Sequence, residues 1–128
     1  MGKPTAIVVG VGAELGVGAA VCRRFAAEGH HVIAAGRTAE KLQRVVDTIA
    51  KAGGSAEAVV ADATQENDVI RLFDHAAALG AGFEAPDAIV FNAGINRHIE
   101  FRTVTAQQFE EFWRVCCFGG FLVGDLLW

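Results

Sequence analysis

The sequence predicts an α/β fold: one domain over residues 1–128, built on a doubly wound parallel sheet of four strands in the order 3-2-1-4. Three observations predict it. Short apolar runs alternate four times with longer amphipathic stretches, a pattern that gives parallel strands joined by right-handed crossovers. A glycine-rich turn, Gly10-Val11-Gly12-Ala13-Glu14-Leu15-Gly16-Val17-Gly18, stands between the first apolar run and the first helical one. The 128 residues are 52% hydrophobic and 20% charged, which excludes disorder and supplies core enough for one domain.

The elements run in order along the chain. Ala6-Ile7-Val8-Val9 marks a strand over residues 5–10, and residues 15–28 read as the first helix. Residues 31–36 form the second strand. Thr38 can cap a helix running to about residue 52, with Leu42, Val45, Val46 and Ile49 at the 3–4 spacing of one buried face. Gly53-Gly54 ends it. Residues 56–61 make the third strand. Val69, Leu72, Phe73 and Ala76 mark the third helix, Gly80 and Gly82 stop it, and residues 87–91 make the fourth strand. Thr105 and Gln108 form a capping-box pattern for a last helix, with Phe109, Phe112, Trp113 and Cys116 along one side. Gly119-Gly120 inside that helix implies a break or a tight contact. The arrangement is Rossmann-like, with its switch point between strands 1 and 4, and such sheets bind ligands beyond the carboxyl ends of their strands at that point.

Two motifs fall there independently. The glycine turn offers the backbone approach and the helix N-terminus that a dinucleotide pyrophosphate needs, through Gly10, Gly12, Gly16, Val17 and Gly18. A tight turn with no ligand is the plain alternative. Glu14 would repel a pyrophosphate, so its carboxylate is expected in solvent or on the loop's own amides. Asn92-Ala93-Gly94 closes strand 4. The Asn92 amide must tie neighbouring loops together, while Ala93 and Gly94 leave room for a nucleoside.

Between these motifs, Arg37 follows the second strand where an acid would accept the ribose hydroxyls of NAD(H). A guanidinium can instead pair with a 2′-phosphate, helped by the Thr38 hydroxyl and the next helix N-terminus. NADP(H) is therefore favoured over NAD(H), with an ordinary exposed arginine as the alternative. Asp62 could accept from an adenine amino group and Ala63 offer a backbone N–H, although Asp before Thr64 is also a common helix start.

Other classes are disfavoured. A net charge of −4 gives no basic face for nucleic acid. The longest uncharged apolar tract, residues 115–124, is too short to span a bilayer. The N-terminus lacks an apolar signal region, and Ala6 stands where a myristoylation motif needs Ser or Thr. Three cysteines, Cys116 and Cys117 adjacent, suggest reduced thiols in a cytoplasmic protein. The histidines have no ligand spacing, so no metal site is expected.

Taken together, the glycine turn, Arg37, the Asp62-Ala63 pair and Asn92-Ala93-Gly94 resemble, in order and spacing, the short-chain dehydrogenases/reductases. Phe109 through Trp113 to Gly120-Phe121 is similar to the long helix after that family's fourth strand. The resemblance covers nearly all of this chain but only the N-terminal half of a usual member. Either Gly10 is the turn's first glycine and the turn is two residues longer than usual, or Gly12 is and Val11 replaces a threonine.

The resemblance implies hydride transfer between a carbonyl or alcohol carbon and a nicotinamide, with a tyrosine, assisted by lysine, exchanging the proton. No residue here matches the family's serine, tyrosine and lysine, and the sequence contains no tyrosine. Counted back from Gly120, the family's active-site asparagine falls on Cys117. No catalytic residue is therefore assigned, and a cofactor-binding module not catalytic alone is expected. The alternative is a pseudo-enzyme that binds nucleotide or associates through its last helix. A methyltransferase is disfavoured because Arg37 has the wrong sign for a ribose. The resemblance also implies a homo-oligomer, through the last helix or the free edge of strand 4.

Overall fold

The computed structural model describes residues 2–126, so the tail's Leu127 and Trp128 lie outside the described residues. Four parallel strands form one sheet, β1 (Lys3–Val9), β2 (His31–Gly36), β3 (Ser55–Val60) and β4 (Phe83–Phe91), in the order β3-β2-β1-β4. The crossovers are α1 (Val17–Ala27), α2 (Ala39–Lys51) and α3 (Glu66–Ala77). The expected order and the alternation of elements both hold.

Side chains leave a strand to opposite faces, and each face has its own helices. Val8, Val32 and Ala34 pack against Ala19 and Cys22 of α1 and Leu42, Val45 and Ile49 of α2. Ile7, Val9, Ile33 and Ala35 pack against Val69, Leu72 and Ala76 of α3. Burial pushes the Cys22 thiol up to about 12, so this cysteine behaves as a small hydrophobe.

Most boundaries fall within two residues of expectation, and the largest difference is in β4. β4 begins at Phe83, four residues before Asp87. Pro86 hides this start in the sequence, because proline donates no ladder hydrogen bond. β4 pairs on one side with β1, and the register shifts beside Pro86, as an edge strand permits.

After β4 the chain makes a 3₁₀ turn, Phe101–Thr103, and enters α4 (Ala106–Trp113). The capping box forms in both directions: Gln108 N–H donates to Thr105 Oγ1 (3.1 Å), and Thr105 N–H donates to Gln108 Oε1 (2.9 Å). The helix continues through a π-helical turn, Arg114–Phe118, into α5 (Gly119–Asp125). Of the two readings of the glycine pair, tight contact is the one seen. A Cβ at Gly119 would lie 3.2 Å from the Ala63 carbonyl oxygen. Phe109, Trp113 and Phe121 leave an exposed aromatic strip along this helix.

At the amino ends of the strands, remote from the switch point, buried His31 lies between Ser55 Oγ (2.6 Å) and Glu57 Oε2 (2.6 Å). His75 of α3 binds the other oxygen of Glu57. Burial alone would raise the Glu57 carboxyl, but the hydrogen bonds and charge of His31 and His75 outweigh it and hold it below the usual 4.5. A depressed carboxyl contributes stability that is present above its unfolded-state value and lost as pH falls through the folded one. Wild type is therefore expected to lose more stability than Glu57→Gln as pH is lowered below about 4.5. Urea midpoints measured from pH 6 to 3 test this, and parallel curves would remove the contribution of Glu57.

Candidate functional site

The carboxyl ends of the strands open onto a cavity of about 340 Å³. Its lining includes every residue singled out from the sequence: Gly10, Gly12, Gly16, Val17 and Gly18 from the turn, Arg37 and Thr38 after β2, Asp62 and Ala63 after β3, and Asn92, Ala93 and Gly94 after β4. These segments are far apart in sequence. They meet because β1 lies between β2 and β4, and its exit turn faces both neighbours.

The glycines of the turn divide into two kinds. Gly10 has φ +95°, and a Cβ there would lie 2.3 Å from the Ala93 nitrogen. A Cβ on Gly18 would lie 2.7 Å from the Gly10 carbonyl oxygen. Both are required by the packing of the turn on the Asn92 loop. At Gly12, a Cβ would meet nothing within 4 Å. Gly12 is thus the first glycine that faces open space, and it is followed by Gly16 and Gly18. Asn92 ties the loops as expected, its Nδ2 donating to the Gly10 carbonyl (3.2 Å).

Glu14 is exposed, in keeping with the first of its two expected placements. Its carboxylate accepts from Thr48 Oγ1 of α2 (3.1 Å), while its carbonyl accepts from Arg23 of α1 (2.8 Å). Together these two contacts tie the turn to both helices.

Two helix N-termini reach the cavity without a side-chain cap. α1 starts after Gly16, which has no side chain to offer, and no side chain caps it. α2 starts after Thr38, which occupies the cap position with extended backbone but makes no cap hydrogen bond. The expected Thr38 cap is therefore placed but not made. The first N–H groups of a helix lack intrahelical acceptors and carry the positive end of its dipole.

Arg37 is exposed beside the second of these helix ends. Lys41, one turn further on, also lines the cavity and was missed by sequence reasoning. Its position four residues after Arg37, in the first turn of α2, was the available signal. Among the described residues neither cation is paired with a carboxylate.

Asp62 is partly committed. Its Oδ1 accepts from both Thr64 N–H (2.9 Å) and Thr64 Oγ1 (2.7 Å). These bonds close a turn ahead of α3, whose cap position is Gln65, so Asp62 does not take the helix-start role.

The structure distinguishes the two adjacent cysteines by their surroundings. The glycine that packs closely is Gly119, not Gly120, and the residue three before it is Cys116. It is Cys116 Sγ that accepts the Ile95 N–H (3.5 Å), beside the Asn92-Ala93-Gly94 loop. Among the described residues no cluster of His, Cys, Asp or Glu is placed to hold a metal ion, and no helix is long and apolar enough to cross a membrane.

Comparison with known proteins agrees with this geometry. The short chain dehydrogenase family model matches residues 5–127. The chain is 45% identical over 89 residues to 3beta-hydroxysteroid dehydrogenase 1 of Eggerthella lenta, covering 69% of this chain and 33% of that protein. It is 39% identical over 110 residues to the uncharacterized oxidoreductase YuxG of Bacillus subtilis, covering 84% of this chain and 16% of that protein. A hydroxysteroid dehydrogenase structure from Escherichia coli superposes with a TM-score of 0.85 at 30% identity, covering 98% of this chain and 51% of that one.

The fold is the Rossmann-like α/β fold, with four parallel strands in the order 3-2-1-4. The chain belongs to the short-chain dehydrogenase/reductase family, whose members bind nicotinamide dinucleotides, and it spans between a sixth and about half the length of these relatives.

Proposed function

We propose that this chain is an NADP(H)-binding module of a short-chain oxidoreductase. One observation carries the reading: two helix ends without side-chain caps and two cations that have no carboxylate partner among the described residues converge on one cavity at the switch point. The residues fit the dinucleotide. Gly12 leaves space where a Cβ would enter the cavity, and the N-terminus of α1 would hold the pyrophosphate. Arg37, with Thr38 and Lys41 beside it, would hold a 2′-phosphate, for which a guanidinium is suited as a paired hydrogen-bond donor. Asp62 and Ala63 would take the adenine edge, and Asn92, Ala93 and Gly94 would flank the nucleoside at the other end.

When bound, the nicotinamide supplies or accepts hydride. Proton exchange by a positioned acid or base is worth about 10²–10⁴ in rate. With no tyrosine in the sequence, these residues bind and orient the dinucleotide and do not turn it over unaided.

Calorimetric titration of the folded chain with NADPH and, separately, NADH tests the reading. NADPH is expected to bind about tenfold tighter or more, the worth of one hydrogen-bonded ion pair. Equal affinities would remove Arg37 as the selector. Binding of neither would leave the glycine segment as a turn only.

A further inference from the structure

Among the described residues, the π-helical turn Arg114–Phe118 touches the loops at both ends of the proposed nucleotide site. A π turn carries an extra residue relative to an α-helix, which rotates the rest of the helix by about 100°. Here that rotation lets successive side chains address different loops. Arg114 Nη2 donates to the Thr64 carbonyl (3.3 Å), and its guanidinium lies 5.1 Å over the Phe118 ring. Val115 lines the cavity, and Cys116 accepts the Ile95 N–H. Gly119 then packs on the Ala63 carbonyl oxygen.

In the loop of residues 62–64, Ala63 is buried in the core, whereas Asp62 and Thr64 on either side of it are held chiefly by hydrogen bonds. The loop's other hydrogen bonds are local: Thr64 N–H and Oγ1 to Asp62 Oδ1, Asp62 N–H to Asp68 Oδ2 (2.9 Å), and Gln65 N–H to the Asp62 carbonyl (3.0 Å). These shape the loop but do not anchor it to the body of the domain. Among the described residues, Arg114 supplies the long-range hydrogen bond to it. Arg114 itself is not part of the cavity lining.

We propose that Arg114 is a positioning residue for the adenine subsite: planted on Phe118, it holds the Asp62–Ala63–Thr64 loop in the place from which Asp62 and Ala63 meet the base. This rests on the nucleotide reading above, and it assigns the π turn a purpose that neither α4 nor α5 would serve as a plain helix. Arg114 acts through the loop and does not touch the ligand.

The test is Arg114→Ala in the full chain, with Arg114→Lys as the milder variant should alanine impair folding. Amide hydrogen exchange without ligand is expected to speed up at residues 62–65 and to stay unchanged at residues 12–18. Affinity for 5′-ADP is expected to fall about threefold to tenfold, the range for losing a charge-assisted hydrogen bond that acts indirectly. Affinity for nicotinamide mononucleotide should be unchanged, a split that a general loss of stability would not produce. Arg114→Lys keeps the charge but not the planar stack, and should fall between.

Unchanged exchange at residues 62–65 would overturn the proposal, as would equal losses for the two ligands. Faster loop exchange in a chain whose wild type binds no adenine nucleotide would keep the clamp and overturn the nucleotide reading instead.

Discussion

Gly10→Ala is expected to destabilise the domain by about 3–5 kcal/mol, the sum of a strained backbone conformation and an overpacked contact. Gly10 has φ +95°, and the added Cβ would lie 2.3 Å from the Ala93 nitrogen and 2.6 Å from the Asn92 carbonyl carbon. Both neighbours are backbone, so no side chain can swing away. They are also held in place, since Asn92 N–H donates to the Val9 carbonyl (2.7 Å) and Asn92 Nδ2 to the Gly10 carbonyl. Relief requires the β4 exit loop to leave β1, which opens the switch point. A loss of this size is a large share of the roughly 5–15 kcal/mol that holds a typical domain together.

Gly12→Ala is the matched control. Its Cβ meets no protein atom within 4 Å and its φ is ordinary, so stability should change by less than about 1 kcal/mol. Dinucleotide affinity should nevertheless drop, because the methyl group enters the cavity. Urea unfolding of the two variants decides the matter. A Gly10→Ala protein as stable as wild type would show that this turn is not packed as described.

Much of this is legible in the sequence. Four alternations of strand and helix force parallel pairing, and parallel pairing with β1 between β2 and β4 puts the glycine turn, Arg37, Asp62 and Asn92 at one edge of the sheet. The hidden features depend on pairings that a single chain does not announce. The Thr48 partner of Glu14 lies 34 residues away. The union of His31, Ser55, Glu57 and His75 needs the register of β2 on β3, in which His31 faces Ser55.

The π turn is invisible for a different reason. Phe109, Phe112, Trp113 and Cys116 fit an unbroken α-helical stripe equally well. The two adjacent glycines then leave the phase of the helix ambiguous by one residue, which is why the loop contact falls to Cys116 and not to Cys117.

Arg37→Asp is expected to reverse the preference between NADPH and NADH, lowering affinity for NADPH by about 10²-fold, as loss of a charge-assisted pair and gain of a like charge require. The surroundings of residue 37 set this expectation. Arg37 follows β2, whose last residue, Gly36, could not carry a side chain without its Cβ lying 2.3 Å from the Val11 carbonyl oxygen. The position that an acid would occupy at the end of the strand is therefore closed, and Arg37 is the first side chain free to reach the cavity rim. There it stands with Lys41 and the N-terminus of α2, so three positive features meet where the proposed reading puts a 2′-phosphate. Aspartate at 37 removes one of them and offers acceptors that suit the ribose hydroxyls of NADH.

Because Lys41 and the helix end remain, binding of NADPH should weaken and not vanish. Since Arg37 and Lys41 are exposed, the residual preference should shrink further as salt rises. Titration of wild type and variant with both dinucleotides at two ionic strengths reads all of this. An unchanged ratio of affinities would place the 2′-phosphate away from residue 37 and leave Lys41 as the group to replace next.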